Sequence, residues 1–328
     1  MSSNRKLTYS LAINEALTQL MESDDSVILL GQGVKSPWYV GNTCKGLIEK
    51  FGELRIIDTP ISENAMTGAA VGAGIVGMKA IVMHPRTDFA LYAFDPIINQ
   101  AANWHYMSGG HSNSNVLIWL VVNRGGEQGA QHSQALHSIF SHIPGLKVIS
   151  PSNAYDVKGM LISAIRDPNP VIFIDDRWLY NTETLVPKDL YEVPIGKANI
   201  ISEGTDLTLL SSSFLTHECK LVVKEFKKFD INIELIDLRS IKPFDKESIT
   251  KSVNKTKNLV IVDGSWKNNS ITANISSIVY EELFGKLKNP ILRINLPDCP
   301  APAARTLEEA YYINSKKIIS EIKRAFKF

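Results

Sequence analysis

Three segments of this chain place reactive side chains where chemistry could occur. The first is RIIDTPISENAM, residues 55–66. A β-rich run over 55–58 meets a turn at Pro60, and Glu63 stands where a helix should begin. An acid there has two readings. It can be a first-turn carboxylate favoured by the helix dipole. It can also be a positioned acid that shares a proton with a ligand. The helix behind it is crowded with Gly68, Ala69, Ala70, Gly72, Ala73, Gly74 and Gly77. Such small residues let another backbone or a ligand approach closely.

The second segment, NRGGEQGAQHSQALHSIFSHIPGLKV, covers residues 123–148. Gly125, Gly126 and Gly129 precede His132. An ordinary imidazole titrates near pH ~6.5, so His132 suits acid or base work. The plainer reading is a loop histidine bonded to backbone. His137 and His142 are weaker candidates, and no acid or cysteine completes a familiar metal spacing with them. The third segment is MHPRTDFALYAFDP, residues 83–96. His84, Arg86 and Asp88 follow a strand, where an open parallel sheet presents its ligands. Phe89 and Phe94 beside them read first as core.

No phosphate-binding loop is convincing. Neither GxGxxG nor GxxxxGK[ST] is expected, GAAVGAG reads as helical Ala/Gly packing, and GQGV at 31–34 is too short.

The elements that must position these residues follow from hydrophobic pattern. Short apolar runs fall at 27–30, 55–58, 80–83, 116–122, 147–149 and 171–175. A second series falls at 207–210, 233–237, 259–263 and 291–294. Nearly continuous apolar character is expected of parallel strands covered on both faces. Helical patterns fit between them at 63–78, 94–107, 155–166, 216–229, 270–283 and 315–325. Leu7, Ala12, Ala16, Leu17 and Leu20 form one face of an N-terminal amphipathic helix. The alternation predicts an α/β class with two doubly wound domains. Pro187, Pro194, Gly196 and Gly204 break the rhythm over 180–204. The expected layout is a domain over 1–185, a linker over 186–204 and a domain over 205–328.

Composition narrows the class. The chain has 328 residues, 44% hydrophobic and 21% charged, with a formal net charge of +1. No basic block exists to neutralise phosphates, so nucleic acid is not the expected partner. Cys44, Cys219 and Cys299 lie far apart, which suits a reducing compartment rather than a disulfide or zinc framework. No secretory core and no membrane span is legible, and a cytoplasmic protein is expected.

Several long motifs occur in order: RIIDTPISE, FDPIINQAANWHYMSGG, QHSQ, HIPGLKVISPSNAYDVKGMLISAIRDPNPVIF and IDLRSIKPFD. With them the chain, from about Leu7 to Pro302, resembles the β subunit of the thiamine-diphosphate-dependent 2-oxo acid dehydrogenases. The resemblance implies a pyrimidine-binding domain followed by a transketolase-type C-terminal domain. It implies that Glu63 is the acid that hydrogen-bonds N1′ of the cofactor's aminopyrimidine. It implies that Phe89 stacks on the pyrimidine face and that His132 lies near the reacting carbon. It places a potassium site in some members at the counterparts of Val116, Ala164, Ile165, Asp167 and Asn169. In this family a GDG…N motif on the α subunit holds Mg2+ and the cofactor diphosphate, and no GDG occurs here. The implied assembly is an α2β2 heterotetramer with an α subunit, a lipoyl acyltransferase component as a further partner and a small-molecule 2-oxo acid as substrate. No membrane partner is implied.

The chain also departs from the pattern. HPRTD replaces a mainly apolar segment, Gln32 stands where many members have an acid, and Arg124 and Glu127 sit beside the loop glycines. Arg86 is a planar cation suited to carboxylate or phosphate. His84, Arg86 and Gln32 are therefore substrate-contact candidates. Three readings remain open here: acyl transfer to a lipoyl carrier, a transketolase-like carboligase with a polar sugar or aldehyde acceptor, and a non-catalytic scaffold.

Overall fold

A computed structural model of the chain describes residues 5–36 and 39–326, without the side chain of Tyr39. It divides into two compact units: residues 1–123 with 139–195, and residues 124–138 with 196–328.

The first unit opens with β1 (Arg5–Thr8), α1 (Tyr9–Ser23), β2 (Val27–Gly31) and α2 (Leu47–Phe51). It continues with β3 (Ile56–Asp58), α3 (Glu63–Ile75), β4 (Lys79–His84), α4 (Ala102–Met107) and β5 (Val116–Val122). After α5 (His137–His142), whose first two residues group with the second unit, come β6 (Lys147–Ile149), α6 (Ala154–Arg166), β7 (Val171–Asp176) and β8 (Glu183–Val186). Its main strands lie in the order β6-β7-β5-β4-β2-β3, every pair parallel. β2, β5 and β7 are buried along their whole length. That explains the unbroken apolar runs in β2, in β5 and over Val171–Ile174 of β7, since helices cover both faces. Each fully buried Val, Leu or Ile side chain contributes about 1.5–3 kcal/mol over leaving it exposed.

The second unit holds β9 (Asn199–Ser202), β10 (Leu207–Ser211), α7 (Leu215–Lys227), β11 (Ile233–Asp237), β12 (Ser240–Lys242) and α8 (Lys246–Thr256). It ends with β13 (Leu259–Trp266), α9 (Ile271–Leu283), β14 (Leu292–Leu296), α10 (Arg305–Tyr311) and α11 (Ser315–Phe326). Its sheet runs β14-β13-β10-β11-β9, parallel except for β9 against β11. Leu209, Val222, Phe226, Leu235, Val262 and Ile318 belong to its core.

The structure corrects four expectations. Leu7 is not helical. Thr8 caps α1 by accepting from Leu11 N at 3.3 Å, and the residues before it pair with β8. The break in rhythm over 180–204 is not free of strands, because it contains β8 and β9, and both pair with segments distant in sequence. The pattern over 94–107 is not one α-helix. Thr87–Ala93 is a 3-10 helix and Asp95–Ala101 a π-helix, with α4 following. Lastly, a GxGxxG spacing does exist at Gly72, Gly74 and Gly77. It falls at the end of α3 rather than at a helix N-terminus, so it cannot act as a phosphate cradle.

α8 was not legible in the sequence. Its apolar face is thin, with Ile249 and Val253 buried beside Ser252 and Thr256. Asp245 starts it by accepting from Ser248 N at 3.1 Å. Among the described residues no helix is long and apolar enough to cross a membrane.

Gly74 is the tightest point of α3. A Cβ there would lie 2.7 Å from the Asn115 carbonyl oxygen, while nothing lies within 4 Å of one at Gly72. In denaturant unfolding of the purified chain, Gly74→Ala is expected to lose about 1–3 kcal/mol by overpacking. Gly72→Ala is expected to gain up to about 1 kcal/mol from helix propensity. Equal effects of the two substitutions would contradict this account of the helix.

Candidate active-site crevice

Strand order places the crevice. β2 leads outward to β3, whereas β4 leads the other way to β5. Adjacent parallel strands whose exits diverge leave an opening beyond their carboxyl ends. Three segments border that opening: the turn after β2, the start of α3, and the residues after β4. Gln32 follows β2 and is half-buried, and the next amide, Gly33 N, donates to Asp58 Oδ1 at 2.7 Å. The turn after β2 is thereby tied to the end of β3.

Glu63 is the first residue of α3. The side chain of Ser62 before it makes no capping bond. Glu63 itself is half-buried, and no described residue hydrogen-bonds its carboxylate. One face of α3, carrying Met66, Thr67, Ala70, Val71 and Gly74, is buried. Gly68, Ala69 and Gly72 are exposed. The acid thus stands at the rim of the crevice on a helix seated firmly from behind.

His84 ends β4 and is wholly enclosed, at 0% exposure. Its Nε2 lies 3.0 Å from Thr67 Oγ1, one helical turn along α3 from Glu63. Its Nδ1 has no hydrogen-bond partner among the described residues. Burial pushes its pKa down to about 3, so the ring is neutral at ordinary pH. As it stands, His84 has an internal partner instead of an open face toward a substrate. Thr87 is also internal and donates to the Val121 carbonyl at 3.1 Å. Asp88 is buried. Arg86 and Phe89 are half-buried, and Arg86 Nη1 donates to the Pro85 carbonyl at 2.6 Å. The unusual polarity of HPRTD is therefore mostly internal.

His132 is half-buried and belongs to the second unit, whereas Glu63, Phe89, His84, Arg86 and Gln32 belong to the first. His137, the weaker candidate by sequence, has the better-defined partner. Its Nε2 lies 2.9 Å from Asp263 Oδ1, and both residues are buried. Burial pushes the Asp263 carboxyl up, but His137, Ser265 and Arg124 together hold it below the ordinary carboxylate value. By sequence, 263–266 is the end of an apolar run, at the edge where a parallel sheet presents ligands. No local pattern links it to a histidine 126 residues earlier.

The residues matched to a potassium site lie in the last turn of α6, just after it, and at the start of β5. Ala164 and Ile165 lie in the last turn of α6, where carbonyls lack helical partners. Val116 is the first residue of β5. Asp167 caps α6, and its Oδ1 accepts from Asn169 N at 3.0 Å. Its other oxygen is taken by the Lys147 ammonium. Among the described residues no three His, Cys, Asp or Glu side chains group as a metal site.

Comparison with known proteins matches residues 5–183 to the transketolase pyrimidine-binding domain and residues 196–318 to the transketolase C-terminal domain. The acetoin:2,6-dichlorophenolindophenol oxidoreductase subunit beta of Cupriavidus necator is 40% identical, with 98% of each chain covered. The pyruvate dehydrogenase E1 component subunit beta of Rickettsia felis is 38% identical, covering 97% of this chain and 98% of its own. A solved structure described as a split gene transketolase, inactive beta4 tetramer, is similar at a TM-score of 0.79 with 20% identity, covering 98% of both chains. That likeness speaks to the fold.

The buried imidazole gives a pH test. The unfolded chain protonates His84 near 6.5, the folded chain only near about 3. Between those values the unfolded state binds the extra proton, so stability falls as pH drops through that window and is fully present above it. His84→Gln keeps a donor for Thr67 and does not titrate. Its melting temperature is expected to fall less than the parent's across the window. Parallel curves would refute the buried neutral ring.

Proposed function

Because this chain belongs to the family that joins a transketolase pyrimidine-binding domain to a transketolase C-terminal domain, we propose that it is the β subunit of a thiamine-diphosphate-dependent 2-oxo acid dehydrogenase. The enzyme decarboxylates a 2-oxo acid and passes the acyl unit to a lipoyl carrier. The observation that carries this reading is Glu63: a carboxylate that no described residue hydrogen-bonds, at the head of a helix, beside the switch point of the sheet.

The donor set fits the cofactor's aminopyrimidine end. Thiamine diphosphate supplies an electron sink for the carbon left when carbon dioxide departs. The chain's own residues hold and orient. Glu63 keeps a proton at the pyrimidine ring nitrogen, and desolvation in the crevice strengthens that bond. Phe89 presents an apolar ring to the pyrimidine face. His132, carried over by resemblance, guides a proton near the reacting carbon. His84 holds α3 through Thr67 and is better read as Glu63's support than as a substrate contact. Arg86 and Gln32 remain the substrate-side candidates. Val116, Ala164, Ile165, Asp167 and Asn169 would hold K+ through oxygen atoms, with Lys147 already beside Asp167.

The partner is an α subunit in an α2β2 assembly, which contributes the Mg2+ and diphosphate site. A lipoyl acyltransferase component is the further partner. Exposed apolar residues on the first unit support subunit contact: Ile61 at 72%, Tyr92 at 75% and Tyr106 at 89%. The exposed Gly68, Ala69 and Gly72 of α3 suit close helix approach there. The three free cysteines support a cytoplasmic setting. The carboligase reading drew on HPRTD, and with His84, Thr87 and Asp88 internal it keeps only Arg86.

Glu63→Gln in the assembled enzyme is expected to lower kcat by at least about a hundredfold, the weight of one general acid or base. Its unfolding midpoint should not change. Near-normal turnover would sink the assignment. The purified chain alone is expected to bind thiamine diphosphate and Mg2+ weakly in titration calorimetry, with tight binding appearing only with the α subunit. Tight Mg2+-dependent binding without a partner would contradict the half-site.

A further inference from the structure

The segment 124–138, which carries His132, groups with the second unit although the residues on either side of it group with the first. By composition it should be loose. Gly125, Gly126, Glu127 and Gly129 all have positive φ, and the Glu127 value of 61° is one that side chains rarely adopt. Contacts among the described residues hold it, four of them to elements of the second unit. The Arg124 guanidinium lies so close to Gly264 that a Cβ there would be 2.1 Å from Nη1. Glu127 N donates to the buried Glu308 carboxylate at 3.0 Å, which steadies the left-handed residue. Ser138 Oγ accepts from Ile271 N at 3.2 Å, at the start of α9. His137 meets Asp263 at 2.9 Å.

The last contact differs in kind. An imidazole and a carboxylate are both removed from water, where apolar side chains would fill the space at less cost. Asp263 comes from β13, near the carboxyl end of a rigid strand. Its other oxygen accepts from the Ser265 hydroxyl, and Asn295 Nδ2 approaches it at 3.5 Å. The carboxylate is therefore held before it meets the histidine. A buried directional pair on a fixed strand specifies one loop geometry where packing would admit several.

We infer that His137 and Asp263 form a latch that sets the position of His132, which makes His137 a positioning residue for the reaction. This rests on the reading of His132 as a group near the reacting carbon. The test is a double-mutant cycle in the assembled enzyme with His137→Leu, His132→Ala and both together, alongside hydrogen exchange of the 124–138 segment. His137→Leu is expected to speed exchange in that segment and to lower kcat about ten- to a hundredfold, as a misplaced group does. His137→Gln, which can still donate to Asp263, is expected to recover most of the loss. On the His132→Ala background, His137→Leu should cost less than about twofold further, because its effect passes through the missing imidazole.

Losses that simply multiply would overturn the proposal, as would unchanged exchange in the segment. If His132→Ala alone leaves kcat intact, the reading of His132 fails, and the exchange comparison still decides whether the latch exists. Should His137→Leu not fold, His137→Asn takes its place, being too short to reach Asp263.

Discussion

The crevice of the first unit depends on how closely α3 lies on its sheet. At Gly74 the helix comes so near the Asn115 backbone that no side chain fits between them. One to two turns earlier, Thr67 meets the enclosed His84 at the end of β4. These two contacts, with Ala70 and Val71 buried between them and Met66 buried beside Thr67, fix the helix along its length. Glu63 then has little freedom of position. It stands at the helix head because the helix is seated, not because its own side chain is bonded.

That arrangement has an intrinsic cost. Gly is about 1 kcal/mol less favourable than Ala inside a helix, and α3 contains Gly68, Gly72 and Gly74. Contacts within the chain account for Gly74 alone. Nothing lies within 4 Å of a Cβ built at Gly68 or Gly72. A weak helix former kept on an exposed face makes sense where another surface must come close. The same α3 thus has one glycine that seats the acid and two that leave room outside.

The second unit meets a comparable problem by other means. Its glycine-rich segment cannot be seated by apolar packing, since it has few large side chains to bury. It is tied instead by the Arg124 guanidinium packed against Gly264 and by two directional polar contacts, the Glu127 amide on Glu308 and His137 on Asp263. Local sequence chemistry therefore decides the mode of support. A helix can be held by shape, whereas a loop of positive-φ residues needs hydrogen bonds to elements that do not move.

Much of this was legible beforehand. The buried strands betrayed themselves by unbroken apolar runs, as in VLIWLVV of β5, and Glu63 was recognisable as an acid at a helix head. The failures share one cause. Leu7 looked helical by spacing, yet it lies in a strand paired with residues near 184. The stretch over 180–204 looked like a linker, yet it supplies strands to two sheets. HPRTD looked like a segment turned to a ligand, yet His84, Thr87 and Asp88 are enclosed. His132 drew attention from its glycines, while His137 seemed bland until Asp263 came beside it. Periodicity and composition are local properties, and they determined the alternation of strands and helices and the residues available for chemistry. Burial and pairing depend on segments brought together from far apart, so only the tertiary structure decided which polar side chains face the crevice and which hold it in place.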